Sequence, residues 1–167
     1  APTSRVPSPK PKMTELSHLD EHGRARMVDV SAKPETKRIA TAEAFVTMSG
    51  PTGEAVFAGT LAKGDALALV RVAAIAGAKR TPDLVPLCHP LPLTGVTADI
   101  EATATGARII VTATTVGRTG VEMEAITGAA VGAITLYDMI KGLDRGAEIG
   151  PIRLLTKRGG ASGEWTR

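Results

Sequence analysis

Residues 107–116, ARIIVTATTV, and residues 121–143, VEMEAITGAAVGAITLYDMIKGL, decide the fold class between them. The first is rich in β-branched side chains and reads as a strand. Paired with residues 94–104 through Thr105-Gly106-Ala107, it predicts a hairpin. The second reads as a long helix with Glu122 and Glu124 in its first turn and Gly128, Ala129, Ala130, Gly132 and Ala133 as a smooth middle. A helical glycine costs about 1 kcal/mol relative to alanine, so two of them here predict that another backbone packs close.

Working outward, residues 65–80, DALALVRVAAIAGAKR, give another helix: Asp65 suits its N-terminus, Lys79 and Arg80 its C-terminus, and Pro82 stops it. Its apolar residues spread widely around the circumference, which predicts burial on more than one side. Residues 36–48, TKRIATAEAFVTM, read as a strand ended by Ser49-Gly50-Pro51, with a short helix or turn between Thr52 and Leu61. A last strand covers 149–155. The order strand, helix, strand, strand, helix, strand predicts an α+β chain with the split βαβ arrangement of the ferredoxin-like fold: an antiparallel sheet with two long helices on one face.

The length of 167 residues suits one domain, residues 13–167. Residues 1–12, with four prolines and no periodicity, read as a disordered tail or appended remnant, and 13–26 and 158–167 as flexible flanks. Of 20 basic residues, Arg5, Lys10 and Lys12 fall in that tail with no acid, leaving 17 basic against 17 acidic. A neutral body lacks the field of a nucleic-acid tracker, and 2% aromatic content gives no platform for stacked bases. The single Cys88 excludes an internal disulfide and any Cys-rich zinc site. No apolar run approaches the roughly 18 residues of a membrane span, and no signal-type segment is evident, so a soluble cytoplasmic protein without a membrane partner is expected. The common phosphate-loop, dinucleotide and zinc-protease motifs are all missing from the sequence.

Four local features could carry chemistry. Leu87-Cys88-His89-Pro90 sits in PDLVPLCHPLPLTGV, where four prolines between 82 and 92 predict a stiff extended segment. His89 is either a half-buried loop anchor or a displayed proton carrier or phosphate ligand. Cys88 and His89 alone do not make a metal site. Glu122 and Glu124, flanking Met123, either complement the helix dipole or serve a site; two apart, they point in different directions. Asp138 and Lys141, three apart on one face, are either a solvated ion pair or a proton-transferring couple with perturbed pKa values. Lys63, beside Gly64 and Asp65, can reach an anion at a helix N-terminus, although Lys-Gly-Asp is common in loops. Glu124 and Asp138 are fourteen residues apart, so on one helix they are separated by roughly 21 Å. One small-molecule site in a single chain would not use both. A homo-oligomer, in which two chains approach through the smooth helix middle and share sites, is therefore expected.

The strings MVDVSAK, EAFVTM, KGD, DLVPLCHPLPLTGV, TGVEMEA, LYDMIK and GPIRLLTKRGGASG, spread over residues 27–163, resemble the MoaC family in order and spacing. The resemblance implies conversion of 3′,8-cyclo-7,8-dihydro-GTP, a small triphosphate, to cyclic pyranopterin monophosphate with release of pyrophosphate, in molybdenum cofactor biosynthesis. No cofactor and no metal are expected. It implies a hexamer, a trimer of dimers with sites at the dimer interfaces. It further implies Asp138 as general acid/base, with Lys141 and Lys63 as partners. Leu87, Cys88, His89, Glu122, Met123 and Glu124 would bind substrate, and Lys157 would contact phosphate. A noncatalytic nucleotide-binding or scaffold protein of the same fold is the alternative.

Overall fold

The computed structural model describes residues 18–167; the tail over 1–12 and residues 13–17 lie outside the described residues. The elements are β1 (Thr36–Thr47), α1 (Gly50–Ala58), α2 (Ala66–Lys79), α3 (Thr81–Leu84), β2 (Leu93–Thr103), β3 (Gly106–Gly117), α4 (Glu122–Ile140), β4 (Glu148–Arg158) and β5 (Trp165–Thr166). They build a five-stranded antiparallel sheet in the order β2-β3-β1-β4-β5. The chain passes from β1 through α2 to β2, skipping β3, and from β3 through α4 to β4, skipping β1. That is the predicted split βαβ connection, with an antiparallel sheet as the result.

Alternation along the two central strands produces the core. Ala40, Ala42, Ala44 and Val46 of β1 and Ala107, Ile109, Val111 and Ala113 of β3 are buried. α4 lies over β1, β3 and β4, while α2 packs beside it and covers β2. So many alanines in the core need helices that come close, and the helical glycines permit it. A Cβ on Gly128 would stand 2.9 Å from the Ala74 carbonyl oxygen of α2, and one on Gly77 would stand 2.6 Å from Val131 Cβ of α4. The backbone that the smooth middle of α4 receives is therefore α2 of the same chain, not a second chain.

The opposite sheet face holds a buried charge. Glu43 is 1% exposed, and its two carboxylate oxygens each accept a 2.6 Å hydrogen bond, from Arg153 Nε and Arg108 Nε. Arg108 reaches Glu101 as well, at 3.2 Å. Burial pushes the Glu43 pKa upward, but the two guanidinium groups outweigh it and hold the carboxyl below its usual range. Since β1 lies between β3 and β4, this cluster ties the three strands together across their register.

Several sequence expectations are corrected. β1 ends before Ser49-Gly50-Pro51 as expected, but the helix that follows starts at Gly50 rather than Thr52, because proline is well suited to a first helical turn. Pro82 likewise begins the four-residue α3, so the stiff proline segment is helical before it becomes extended. α2 buries one stripe, Ala66, Val70, Ala74, Gly77 and Ala78, and leaves Leu69 and Val72 exposed. β4 is longer than 149–155, and β5 returns to pair with it through Lys157↔Trp165 and Thr156↔Thr166. Residues 18–26 form a tight turn closed by an isolated bridge, Leu19↔Ala25, and by the Asp20 carboxylate, which accepts from the His22 and Arg24 backbone. Among the described residues, α4 is the one helix long and apolar enough to cross a membrane, contrary to the expectation that no run approaches that length. More than half of it is buried against α2 and the sheet, which makes it a core helix.

Candidate functional site

The two ends of α4 each organise a cluster. At its N-terminal end, a cavity of about 350 Å³ is lined by Leu87, Cys88 and His89 from one side and by Glu122, Met123 and Glu124 from the other. All six substrate-binding candidates in these two segments meet in this one place. His18, Val28, Val30, Lys33, Leu91, Thr119 and Gly120 complete the walls. Sequence reasoning assigned these last seven no role. A signal was present for all but His18, since Val28, Val30 and Lys33 lie in the MVDVSAK string, Leu91 in DLVPLCHPLPLTGV, and Thr119 and Gly120 in TGVEMEA.

His89 Nε2 lies 2.6 Å from the Val28 carbonyl oxygen. A carbonyl can only accept, so Nε2 carries a proton and donates it, and Nδ1 is the remaining ring nitrogen. The anchoring role foreseen for His89 is thus real, and it leaves only Nδ1 for a ligand. Glu122 and Glu124 diverge as their spacing requires. Glu122 turns towards Lys157, with 3.3 Å between Oε1 and Nζ, while Lys157 donates to Ser162 Oγ at 2.6 Å. Lys157 thereby joins the edge of this end of the molecule.

Glu124 points inward. It is 3% exposed, and its Oε2 has no hydrogen-bond partner among the described residues. Burial, with some repulsion from Glu122, pushes its pKa up to about 7. Burial and the neighbouring Glu124 also raise the Cys88 thiol, so Cys88 stands as a neutral, polarisable wall rather than a thiolate nucleophile. A carboxyl that remains protonated near neutrality can donate a hydrogen bond inside the cavity and release that proton when a ligand demands it.

The raised value sets a stability prediction. Between its ordinary 4.5 and about 7, Glu124 keeps a proton in the folded chain that it has lost in the unfolded one. Stability contributed by this group is therefore complete at low pH and declines as pH rises through that window, by at most about 3 kcal/mol. Glu124→Gln removes the titration and keeps the shape. Urea unfolding at pH 5 and pH 8 is expected to show the variant gaining on the unsubstituted protein as pH rises. An unchanged difference would mean that Glu124 titrates normally.

At the C-terminal end of α4 stand Lys63, Asp138 and Lys141. Lys141 Nζ is 2.7 Å from Asp138 Oδ1, and Lys63 Nζ is 3.6 Å from Oδ2 and donates to the Asp138 carbonyl oxygen at 2.6 Å. The anion that Lys63 meets is thus Asp138. The adjoining helix N-terminus is capped by Asp65, whose carboxylate accepts from Ala68 N at 3.0 Å. The pair is solvated, since the Asp138 and Lys141 side chains are 57% and 52% exposed. The Lys141 hydrogen bond, followed by the charges of Lys141 and Lys63, lowers the Asp138 pKa, and Asp138 raises that of Lys141. Both shifts hold the charged forms, so the resting pair is a carboxylate acceptor beside an ammonium donor.

Each cluster is complete in its residues and distant from the other: Glu124 and Asp138 are on the same helix, and their separation remains roughly 21 Å along its axis. Within one chain they do not form one site. Among the described residues, no group of three or more His, Cys, Asp or Glu side chains is placed to hold a metal ion.

Comparison with known proteins adds a separate line. The chain is 54% identical over 157 residues to the cyclic pyranopterin monophosphate synthase of Thermomicrobium roseum, covering 93% of this chain and 95% of that one. It is 52% identical over 154 residues to the enzyme of that name from Corynebacterium glutamicum strain R, covering 92% and 99%. To that of Rhodospirillum rubrum it is 52% identical over 153 residues, covering 90% and 92%. The sequence profile of the MoaC family matches residues 27–160, a span that contains both clusters, and the chain belongs to that family.

Proposed function

We propose that this protein converts 3′,8-cyclo-7,8-dihydro-GTP to cyclic pyranopterin monophosphate and pyrophosphate, in molybdenum cofactor biosynthesis and in the cytoplasm. The observation that carries the reading is the pair of clusters: a ligand-sized cavity with a protonatable carboxyl, and a Lys–Asp–Lys triad, on one helix in a family whose named relatives are synthases of this product. Because the two lie at opposite ends of α4, one site needs both only if two chains run past each other. A hexamer built as a trimer of dimers, with the cavity of one protomer facing the triad of its partner, satisfies that requirement.

The chemistry follows from the residue types. Opening one ring and closing a pterin ring moves several protons, which a carboxylate and an ammonium can accept and donate in turn. In the phosphate step, a substrate hydroxyl attacks the α-phosphorus and its proton passes to the Asp138 carboxylate. The bond from that phosphorus to the β-phosphate oxygen breaks, and pyrophosphate leaves with the electron pair. Lys141 and Lys63 stabilise the charge that develops.

The test is release of pyrophosphate from the purified protein given 3′,8-cyclo-7,8-dihydro-GTP, with the cyclic product identified by mass. Release well above a no-enzyme control is expected. Release at the level of that control would leave the noncatalytic reading in place.

A further inference from the structure

The triad at the C-terminal end of α4 is exposed, and its own charges do not fix it. Solvated ion pairs are weak and long side chains leave them readily, and Lys141 stands just past the last residue of the helix. What holds its backbone is the turn that follows. Lys141 N donates to the Tyr137 carbonyl oxygen at 2.8 Å, and Leu143 N and Asp144 N donate to that of Ile140 at 2.8 and 2.9 Å. The Tyr137 hydroxyl then reaches across this turn and donates to the Arg145 carbonyl oxygen at 3.1 Å. Tyr137, the one tyrosine of the chain, is four residues before Lys141 and so lies on the same helical face. It is half-buried and packs against the core, which gives the hydroxyl a fixed base from which to hold the turn.

Asp144 ties the same turn to the segment that carries Lys63. Its carboxylate accepts from Ser49 N at 2.7 Å, directly before α1. α1 has no acidic residue in its first turn, and the Ser49 hydroxyl caps no backbone N–H, meeting Thr52 Oγ1 instead at 2.8 Å. The negative charge at this helix N-terminus is therefore supplied from 95 positions away, by a residue three beyond Lys141. From Ser49 the chain runs through α1, turns at the left-handed Gly59 and buries Leu61 before it reaches Lys63. Residues 49–63 are thus joined to the end of α4 twice: at Ser49 through Asp144, and at Lys63 through the Asp138 carbonyl oxygen at 2.6 Å.

We propose that Tyr137 and Asp144 are positioning residues for the triad, the hydroxyl of one and the carboxylate of the other bracketing the last turn of α4 so that Asp138 and Lys141 meet Lys63. The inference rests on the reading given under Proposed function, and neither residue touches the reacting atoms in it. Without either bond the turn splays, and Asp138 and Lys141 lose their alignment before the chain loses its fold. A misplacement of about 1 Å can cost about a hundredfold in rate.

The experiment compares the full chain with its Tyr137→Phe, Asp144→Ala and Asp144→Asn variants, with thermal melts to establish folding. Pyrophosphate release gives kcat and KM. Trace acetylation with acetic anhydride, read by peptide mass, gives the reactivity of the Lys141 amine relative to that of Lys79, which is exposed at the end of α2. Tyr137→Phe and Asp144→Ala are each expected to lower kcat about ten- to hundredfold while KM stays within about twofold. Lys141 acetylation is expected to rise about two- to fivefold in both, as the ion pair loosens. Asp144→Asn keeps an acceptor for Ser49 N and is expected to recover most of the rate. A loss in that variant as large as in Asp144→Ala would overturn the bracket, because charge at α1 and not this bond would then be at work. So would an unchanged kcat, or a rise in KM alone, in folded Tyr137→Phe and Asp144→Ala of an active parent. If Asp144→Ala fails to fold, Tyr137→Phe carries the test, since it removes one hydroxyl and keeps the ring. Faster Lys141 acetylation in the variants of a parent that releases no pyrophosphate would sustain the bracket and remove the proposed reaction. Unchanged acetylation in the folded variants would overturn the bracket whatever the turnover.

Discussion

Asp138→Asn is expected to abolish turnover while leaving the fold and the assembly intact. The carboxylate sits between Lys141 and Lys63 and is held in its charged form, so it is available to take a proton. Asparagine keeps the size and can still accept hydrogen bonds from both lysines, yet it cannot carry a transferred proton. General acid–base catalysis contributes roughly 100- to 10,000-fold, and repeated transfers through one group place the loss at the upper end. Stability is expected to change little, because exposed ion pairs contribute about 1 kcal/mol or less. Single-turnover rates and the mass of the assembly measure both. A near-normal rate would remove Asp138 from the proton-transferring role.

Glu43→Ala is expected to produce the largest loss of stability. Its carboxylate is buried on the helix-free face of the sheet and joined to Arg108 and Arg153 by two 2.6 Å hydrogen bonds. Removing it leaves a small cavity and two guanidinium groups facing each other. Breaking a buried pair by deleting one partner costs about 3–5 kcal/mol, and the partial exposure of both arginines argues for the lower end. Urea unfolding should show a lower midpoint with an unchanged slope. Because the folded pKa is depressed, the stability that Glu43 supplies is present above the usual carboxylate range and is lost as pH falls through the folded value. The gap between the unsubstituted protein and Glu43→Ala should therefore narrow in acid. A loss of stability below about 1 kcal/mol at neutral pH would mean that the arginines find equivalent partners elsewhere.

The strands and long helices were legible because their signals are local. ARIIVTATTV could be little else than a strand, and its partner, its turn and the helix after it follow by spacing. Gly128 and Gly132 announced a close backbone, yet nothing local distinguishes a neighbouring helix of the same chain from that of another, and α2 proves to be the neighbour. Burial was misjudged for the same reason. The apolar circumference of α2 suggested enclosure, whereas Leu69 and Val72 are exposed on the single chain.

The candidate site was legible in its motifs and not in its partnerships. Leu87 to His89 and Glu122 to Glu124 meet in one cavity, and Asp138 with Lys141 follows from a three-residue spacing. That Lys63 closes on Asp138 from 75 positions away is a consequence of topology, which no spacing encodes. Spacing left Glu124 either a dipole partner or a site residue, and only the fold reveals that it is buried and protonatable while Glu122 is paired.

The central claim is that the cavity at one end of α4 and the triad at the other belong to one site made by two chains. Mixing inactive Asp138→Ala and His89→Ala subunits, with exchange confirmed by mass, tests it most directly. In a shared arrangement, each mixed dimer has one site carrying both lesions and one carrying neither, so activity is expected to reappear on exchange. Lys63→Ala mixed with Asp138→Ala should stay inactive, since each site of a mixed dimer then carries one lesion in its triad. Fully exchanged Asp138→Ala and His89→Ala oligomers that remain as inactive as their parents would contradict the shared site.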